Sequence, residues 1–153
     1  MTTLGVISDT HGLLRREAVE ALRGVSQILH AGDVGSSDVL DGLRAIAPIT
    51  AVRGNVDREV WARGLPHSEA VEVEGVSIYM LHILDQLDLK PEAAGFGVVV
   101  YGHSHVPKSE VNNGVLYFNP GSAGPRRFKL PVTVGRLIVD RGRVRGEIVE
   151  LKK

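Results

Sequence analysis

The sequence contains no cysteine. That one absence removes disulfides, zinc–thiolate and iron–sulfur sites, and a cysteine nucleophile, so any bound metal must rest on His, Asp, Asn or Glu. Net charge is also missing, since 18 Lys+Arg balance 18 Asp+Glu. A zero balance with only 5% aromatic residues argues against a strong nucleic-acid footprint. Long hydrophobic runs are absent as well. The longest are Val76–Leu84, interrupted by Ser77 and His82, and Val98–Tyr101. Neither approaches the roughly 20 residues that span a bilayer, so no membrane partner is expected. Met1-Thr2-Thr3 leads into Leu4-Gly5-Val6-Ile7 with no basic segment and apolar core, so the expected location is the cytoplasm. What is present is ordinary: 153 residues, 43% hydrophobic and 24% charged. This is the size and composition of a single globular domain over residues 1–153 that can bury its own core. Such a small sheet-rich domain is a candidate homo-oligomer.

Charge is uneven along the chain. Residues 1–100 hold 8 Lys+Arg against 14 Asp+Glu, and residues 101–153 hold 10 against 4. The plain reading is that the two halves pack together. The sharper one is a basic rim of Arg126, Arg127 and Lys129 beside an anionic substrate.

Apolar β-branched runs at Leu4–Ser8, Val25–His30 and Ile49–Arg53 read as buried strands. Between them, Leu14–Arg23 has helical spacing and ends at Gly24, and Ser36-Ser37-Asp38 can cap a helix running to Ala47 before Pro48. Strand and helix in alternation predict a mainly parallel sheet. The pattern then changes. Glu74-Gly75, Asn112-Asn113-Gly114 and Arg141-Gly142-Arg143 separate paired apolar runs and predict three hairpins. A short helix over Asp85–Ala94 and a buried strand over Gly97–Tyr101 lie between the first two. The expected fold class is α/β.

The polar residues fall where these strands end. Asp9 and His11 follow the first strand, Asp33 the second and Asn55 the third; His82 ends the strand from Val76, and His103 and His105 follow Tyr101. From His11 the steps to Asp33, Asn55, His82 and His103 are 22, 22, 27 and 21 residues, each about one strand with its connection. The carboxyl ends of strands in an α/β sheet line one crevice, so all seven side chains should converge there. Carboxylate, amide and imidazole together suit Mn²⁺, Fe²⁺, Co²⁺, Ni²⁺ or Zn²⁺. Seven ligands exceed one tetrahedral ion and suit two divalent ions, with Mn²⁺ the first expectation. Gly12, Gly32, Gly54 and Gly102 beside them would let the backbone turn sharply and leave room for a substrate.

The series Asp9-x-His11, Gly32-Asp33, Gly54-Asn55, His82, Gly102-His103-x-His105 resembles the calcineurin-like metallophosphoesterase superfamily. Ile7-Ser8-Asp9-Thr10-His11-Gly12, Gly54-Asn55-Val56-Asp57 and Asn119-Pro120-Gly121-Ser122 resemble its compact bacterial and archaeal phosphodiesterase branch. The resemblance implies a four-layer sandwich of two mixed β-sheets flanked by helices. It implies one ion on Asp9, His11, Asp33 and His105, and a second on Asp33, Asn55, His82 and His103, with Asp33 bridging. The implied reaction is hydrolysis of a small phosphoester by a hydroxide bridging the ions. Asn55 would serve twice, binding metal and donating its amide N–H to a phosphoryl oxygen. Two other readings stay open: a catalytically weak scaffold or binding protein of the same fold, as in the retromer coat, and a nucleotide-directed phosphatase or nuclease.

Two positions depart from the family pattern. Val56 stands where many members carry a His that protonates the leaving group. Ile83 stands where related proteins often place Gly, which leaves His82 the least constrained of the seven. Several other residues have plain readings. His30 is a satisfied buried histidine before it is a partner of Asp33, and Asp57 is a helix-start residue before it orients the site. Trp61 belongs to the core and His67 to solvent. Arg53 and Arg58 could hold phosphate, with salt bridges to the acidic half as the plainer account. Asn119-Pro120-Gly121-Ser122 is turn chemistry.

Overall fold

The three predicted hairpins form, each on a two-residue X-Gly turn, with Asn112 and Arg143 taken into the flanking strands. Glu74-Gly75, Asn113-Gly114 and Arg141-Gly142 take φ values of 45° and 83°, 52° and 77°, and 51° and 79°. Two successive left-handed residues make a turn whose twist matches that of the strands it joins. In the computed structural model, which describes residues 1–151, these turns connect β4 (Ser68–Val73) to β5 (Val76–Leu81), β7 (Lys108–Asn112) to β8 (Val115–Asn119), and β9 (Thr133–Asp140) to β10 (Arg143–Glu150).

The remaining strands are β1 (Thr2–Ile7), β2 (Gln27–His30), β3 (Ile49–Ala51) and β6 (Val98–Val100). Two mixed five-stranded sheets result, ordered β10-β9-β1-β2-β3 and β4-β5-β6-β8-β7. In the first, β1, β2 and β3 run parallel and β9 returns antiparallel to β1. In the second, β5, β6 and β8 run parallel, and β4 and β7 are antiparallel edges. The alternating βα pattern therefore builds only three strands of the first sheet. Residues 68–100 belong to the second.

Strand alternation sorts the side chains into layers. Leu4, Val6 and Leu29 face Ile78, Met80, Val100 and Phe118 across the gap between the sheets. Their neighbours Ile7 and Ile28 point the other way, onto α1 (Arg16–Ala21) and α2 (Ser37–Arg44) through Ala18, Leu22, Val39 and Leu43. Each such fully buried aliphatic side chain is worth about 1.5–3 kcal/mol of transfer free energy. Ser36 caps α2 by accepting from the Asp38 N–H at 3.2 Å, and Asp38 and Arg44 complement its dipole. Both helices are shorter than their apolar spacing suggests, because irregular turns carry the hydrophobic periodicity onward to Leu22 and Ala47. The fourth layer is thin. On the outer face of the second sheet, Leu84 and Leu87 from a single 3₁₀ turn (Leu84–Gln86) pack on Leu81, Val99, Tyr101 and Val115. The expected helix over Asp85–Ala94 is reduced to that turn and the one-turn α3 (Pro91–Ala94). A second 3₁₀ turn, Val60–Gly64, has no sequence periodicity to announce it.

Candidate metal centre

The loops leaving β1 and β2 are laced together. The N–H groups of Asp9, His11 and Gly12 donate to the carbonyls of Gly32, Asp33 and Val34 at 3.0, 2.9 and 2.8 Å. Asp9, His11 and Asp33 in these loops, and His103 and His105 in the loop after β6, carry the donor side chains on unusual backbone. Asp9, His11, Asp33, His103 and His105 have φ values of 55°, 46°, 56°, 73° and 66°. Left-handed backbone at non-glycine residues is a local strain that clusters at functional sites. The neighbouring glycines act in two ways. Gly32 does turn left-handed, at φ 106°. Gly54 and Gly102 do not; they are glycine because of close approach. A Cβ on Gly54 would collide with the Asp33 backbone and carboxylate, and one on Gly102 with Ser8 Oγ and Asp9 Oδ2.

The side chains form two clusters whose ligand atoms lie within 4.8 Å of one another: Asp9, His11 and His105; and Asp33, His82 and His103. Each carboxylate has one oxygen held and one free. Asp9 Oδ2 accepts from Ser8 Oγ at 2.7 Å and from the His103 N–H at 3.1 Å. Its Oδ1 sits 3.8, 3.7 and 3.4 Å from Nε2 of His11, His82 and His105. Asp33 Oδ1 accepts from the Val56 N–H at 3.0 Å. Its Oδ2 lies 3.1 Å from His82 Nε2 and 3.7 Å from His11 Nε2, between the two clusters. Asn55 joins the second cluster, with Oδ1 3.2 Å from His103 Nδ1. That separation suits two donor atoms on one ion at roughly 2.1 Å each.

A divalent ion fits these residues on a direct observation. Asp9 Oδ1, His11 Nε2, His82 Nε2 and His105 Nδ1 are buried without a hydrogen-bond partner. Buried polar atoms are normally paired, and here the orphaned Nε2 atoms of His11 and His82 face the orphaned Asp9 Oδ1 at 3.8 and 3.7 Å, an arrangement that fits a divalent cation. His82 illustrates the orientation. Its Nδ1 donates to the Ala31 carbonyl at 2.8 Å, which fixes the tautomer and turns Nε2 inward as an acceptor. Ile83 does not displace it, and His82 is 3% exposed. Burial pushes the Asp9 and Asp33 carboxyls up, but His105 on Asp9 and His82 on Asp33 outweigh it and hold both below the usual carboxylate range. Burial likewise pushes the His82 imidazole down, and Asp33 and Asp9 more than reverse this, raising it above an ordinary histidine.

A second tier of residues holds the first. Asp57 is not a helix-start residue. Its buried carboxylate accepts from the N–H groups of Val34, Gly35 and Gly54 at 3.1, 3.0 and 2.9 Å, clamping the Asp33 loop to the Asn55 loop. Asn119 forms its own turn through Gly121 and also donates to the Gly102 carbonyl at 3.2 Å and to Ser104 Oγ at 3.1 Å. Ser122 Oγ donates to the Asp9 carbonyl at 3.0 Å. The Asn119–Ser122 turn therefore braces both the His103–His105 loop and Asp9. His30 contacts no carboxylate. It accepts from the Gly32 N–H at Nδ1, and its Nε2 lies 3.0 Å from Thr10 Oγ1, which itself donates to the Val34 carbonyl. These bonds make it a neutral Nε2–H imidazole, and burial pushes it down to about 4.

Trp61 packs half-buried against the helix-side core, as expected. His67 is exposed, yet it lines a cleft beside Asn55 and His82. Val56 is 46% exposed and presents no proton donor. The salt bridges expected for Arg53 and Arg58 do not form among the described residues. Arg53 Nη2 donates to the Arg63 carbonyl at 2.9 Å and Arg58 Nε to the Asn55 carbonyl at 3.2 Å.

Comparison with known proteins agrees with this geometry. The family model for the calcineurin-like phosphoesterase superfamily domain matches residues 2–142. A probable metallophosphoesterase of Methanothermobacter thermautotrophicus is 35% identical over 158 residues, spanning 95% of this chain and 91% of that protein. A solved structure described as a novel archaeal phosphodiesterase superposes with a TM-score of 0.80 at 26% identity, covering 97% of this chain and 100% of that one. Vps29 of Chaetomium thermophilum superposes with a TM-score of 0.79 at 22% identity, covering 100% of both chains, a likeness of fold alone.

Proposed function

This chain belongs to the calcineurin-like phosphoesterase superfamily, and from that premise we propose that it hydrolyses phosphodiesters in a divalent-metal-dependent reaction. One observation carries the reading: six Asp and His side chains and Asn55 converge, with polar atoms of Asp9, His11, His82 and His105 buried without a hydrogen-bond partner. Asp9, His11, Asp33 and His105 would hold one ion, and Asp33, Asn55, His82 and His103 the other, with Mn²⁺ as the expected metal. When bound, such ions supply hydroxide near neutral pH and positive charge against phosphoryl oxygens. The chain does the rest. Ser8, the His103 N–H and the Val56 N–H fix the carboxylates, so their free oxygens need no reorganisation as charge moves. Asn55, with Oδ1 turned to His103, keeps its amide nitrogen to donate to a phosphoryl oxygen. Val56 leaves the departing oxygen without a protein acid. The cytoplasmic location and a small phosphoester substrate are part of the same proposal.

The test uses chelator-stripped protein with bis-p-nitrophenyl phosphate, and Mn²⁺, Ni²⁺, Co²⁺, Zn²⁺ and Mg²⁺ added in turn. Metal-restored turnover that Asp33→Ala abolishes supports the reading. Turnover that persists in Asp33→Ala at full metal content overturns the two-ion assignment. A folded protein silent with every metal overturns the enzyme.

A further inference from the structure

Four arginines beside the metal centre have no carboxylate partner among the described residues: Arg53, Arg58, Arg126 and Arg127. Of the arginines among the described residues, only Arg23 and Arg44 pair with a carboxylate, Glu20 and Asp41 on their own helices, so it is the place of these four, not the lack of a partner, that sets them apart. The four line two clefts. One, of about 260 Å³, is bounded by Arg53, Asn55, Arg58, His67 and His82. The other, of about 300 Å³, is bounded by His11, His105, Arg126 and Arg127. No acidic side chain lines either. The first touches the Asp33–His82–His103 cluster and the second the Asp9–His11–His105 cluster, so they leave the centre beside different ion positions.

Both clefts are anchored. Carbonyl contacts hold Arg53 and Arg58 in place without neutralising them, and Arg53 Nε is buried with no partner. Arg126 and Arg127 extend from a pinned root. Arg15 donates from Nε and Nη2 to the Gly124 carbonyl at 3.2 Å, and Ser122 ties the same turn to Asp9. Arg58, Arg126 and Arg127 are solvent-exposed, and a guanidinium with no carboxylate at hand favours an incoming anion, its fork of donors matching phosphate.

We propose that the substrate is a phosphodiester carrying a further phosphoryl group on each side of the scissile one, each flanking group seated in one arginine cleft. The inference rests on the phosphodiesterase reading and extends it to substrate class. Two flanking groups, rather than a long track of them, suit a chain of zero net charge.

The probes are dithymidine monophosphate and its 5′-phosphorylated, 3′-phosphorylated and doubly phosphorylated forms, with tripolyphosphate alongside. Each is tested as an inhibitor of bis-p-nitrophenyl phosphate turnover and by calorimetric binding to the metal-loaded protein. Each terminal phosphate should tighten binding by about tenfold, the size of one charge-assisted contact. Arg58→Ala, alone and with Arg53→Ala, should erase the gain from one terminus. Arg126→Ala with Arg127→Ala should erase the gain from the other. Arg145→Ala, on the remote strand β10, should keep both. Tighter binding of the doubly phosphorylated dinucleotide assigns the flanking groups to a nucleotide chain, and tighter binding of tripolyphosphate assigns them to a polyphosphate. If terminal phosphates add nothing, or if both arginine pairs weaken both ends equally, the two-cleft assignment is overturned. Absence of bis-p-nitrophenyl phosphate turnover instead strikes at the phosphodiesterase reading, and the calorimetric arm still reports on the clefts.

Discussion

Replacing Asp57 should unsettle the metal centre without touching a ligand. The side chain is 2% exposed and accepts three backbone N–H groups, two from the Asp33 loop and one from Gly54. Asp57→Ala would strand all three. A buried donor left unpaired costs about 1–3 kcal/mol, and water entering the gap would recover part of it, so the loss should total about 3–5 kcal/mol. That is a large share of a stability of about 5–15 kcal/mol, yet not enough to prevent folding in most of this range. Asp57→Asn is the informative partner. With its carbonyl at the Oδ2 position it keeps the bonds to Val34 and Gly54, but its NH₂ group then faces the Gly35 N–H, donor against donor. It should cost about half as much as alanine. Denaturant unfolding with chelator present measures the stability loss free of metal. Metal titration of the folded variants measures the positioning role, where a drop of about 10–100-fold is the usual effect of removing such a support. An alanine variant within 1 kcal/mol of the parent, or with full metal affinity, would refute the clamp.

Four further outcomes follow from the same geometry. Asn55→Ala should lower kcat by about 10²–10³-fold, the usual cost of losing one preorganised donor, while circular dichroism stays unchanged; an unaltered kcat removes its proposed role. Metal binding should release protons near pH 7, because Asp33 and Asp9 raise the His82 pKa in the metal-free protein and an ion must displace that proton. Calorimetry in buffers of different ionisation enthalpy counts them, and a count of zero contradicts the His82–Asp33 pairing. His30 is held near 4 against an ordinary 6.5, so the neutral form is the folded one. Its contribution is complete above pH 6.5 and is lost as pH falls toward 4, by about 3 kcal/mol in all. His30→Gln should flatten that part of the stability–pH curve, and an unchanged curve would show that His30 titrates normally. Finally, with Val56 in place of an acid, alkyl diesters should turn over about 10²–10⁴-fold more slowly than their aryl counterparts in excess of intrinsic reactivity. Equal catalytic enhancement for both would mean that another residue protonates the leaving group.

The site was more legible in the sequence than its support. Asp9, His11, Asp33, Asn55, His82, His103 and His105 stand at predicted strand ends, and strand ends are where apolar runs stop, which a sequence shows directly. The hairpins were legible for the same reason, since an X-Gly pair between two β-branched runs has few other uses. Asp57, Asn119 and Ser122 were not, because Asp, Asn and Ser also make ordinary turns. Their partners lie 23, 17 and 113 residues away. One signal was available: Asn119 directly ends the apolar run Val115–Phe118, where an unpaired polar side chain would be costly. The arginines misled in the opposite direction. An acidic first half made salt bridges the natural reading for Arg53 and Arg58, but local chain geometry turned both onto carbonyl oxygens. The boundaries of α1 and α2 failed because hydrophobic spacing persists through irregular turns that bury the same face.

The backbone itself argues against a scaffold-only role. Among the described residues, nine that are not glycine have positive φ; three make the hairpins, one is Phe128, and the other five are metal-centre residues. At about 1 kcal/mol or more apiece, those five together rival the net stability of a small domain. The same loops also bury two carboxylates and bring imidazoles against them. Neither feature helps the fold. Asp57, Asn119, Ser122 and Ser8 exist as a set to impose this arrangement, each bonded to the ligand loops or to a ligand itself. A chain that needed only the sandwich could relax Asp9, His11 and Asp33 into ordinary turns and drop the clamps. Strain that is opposed at so many independent points is what a metal centre requires, because divalent ions reward donors held in place beforehand and repay the repulsion only when all of them are present.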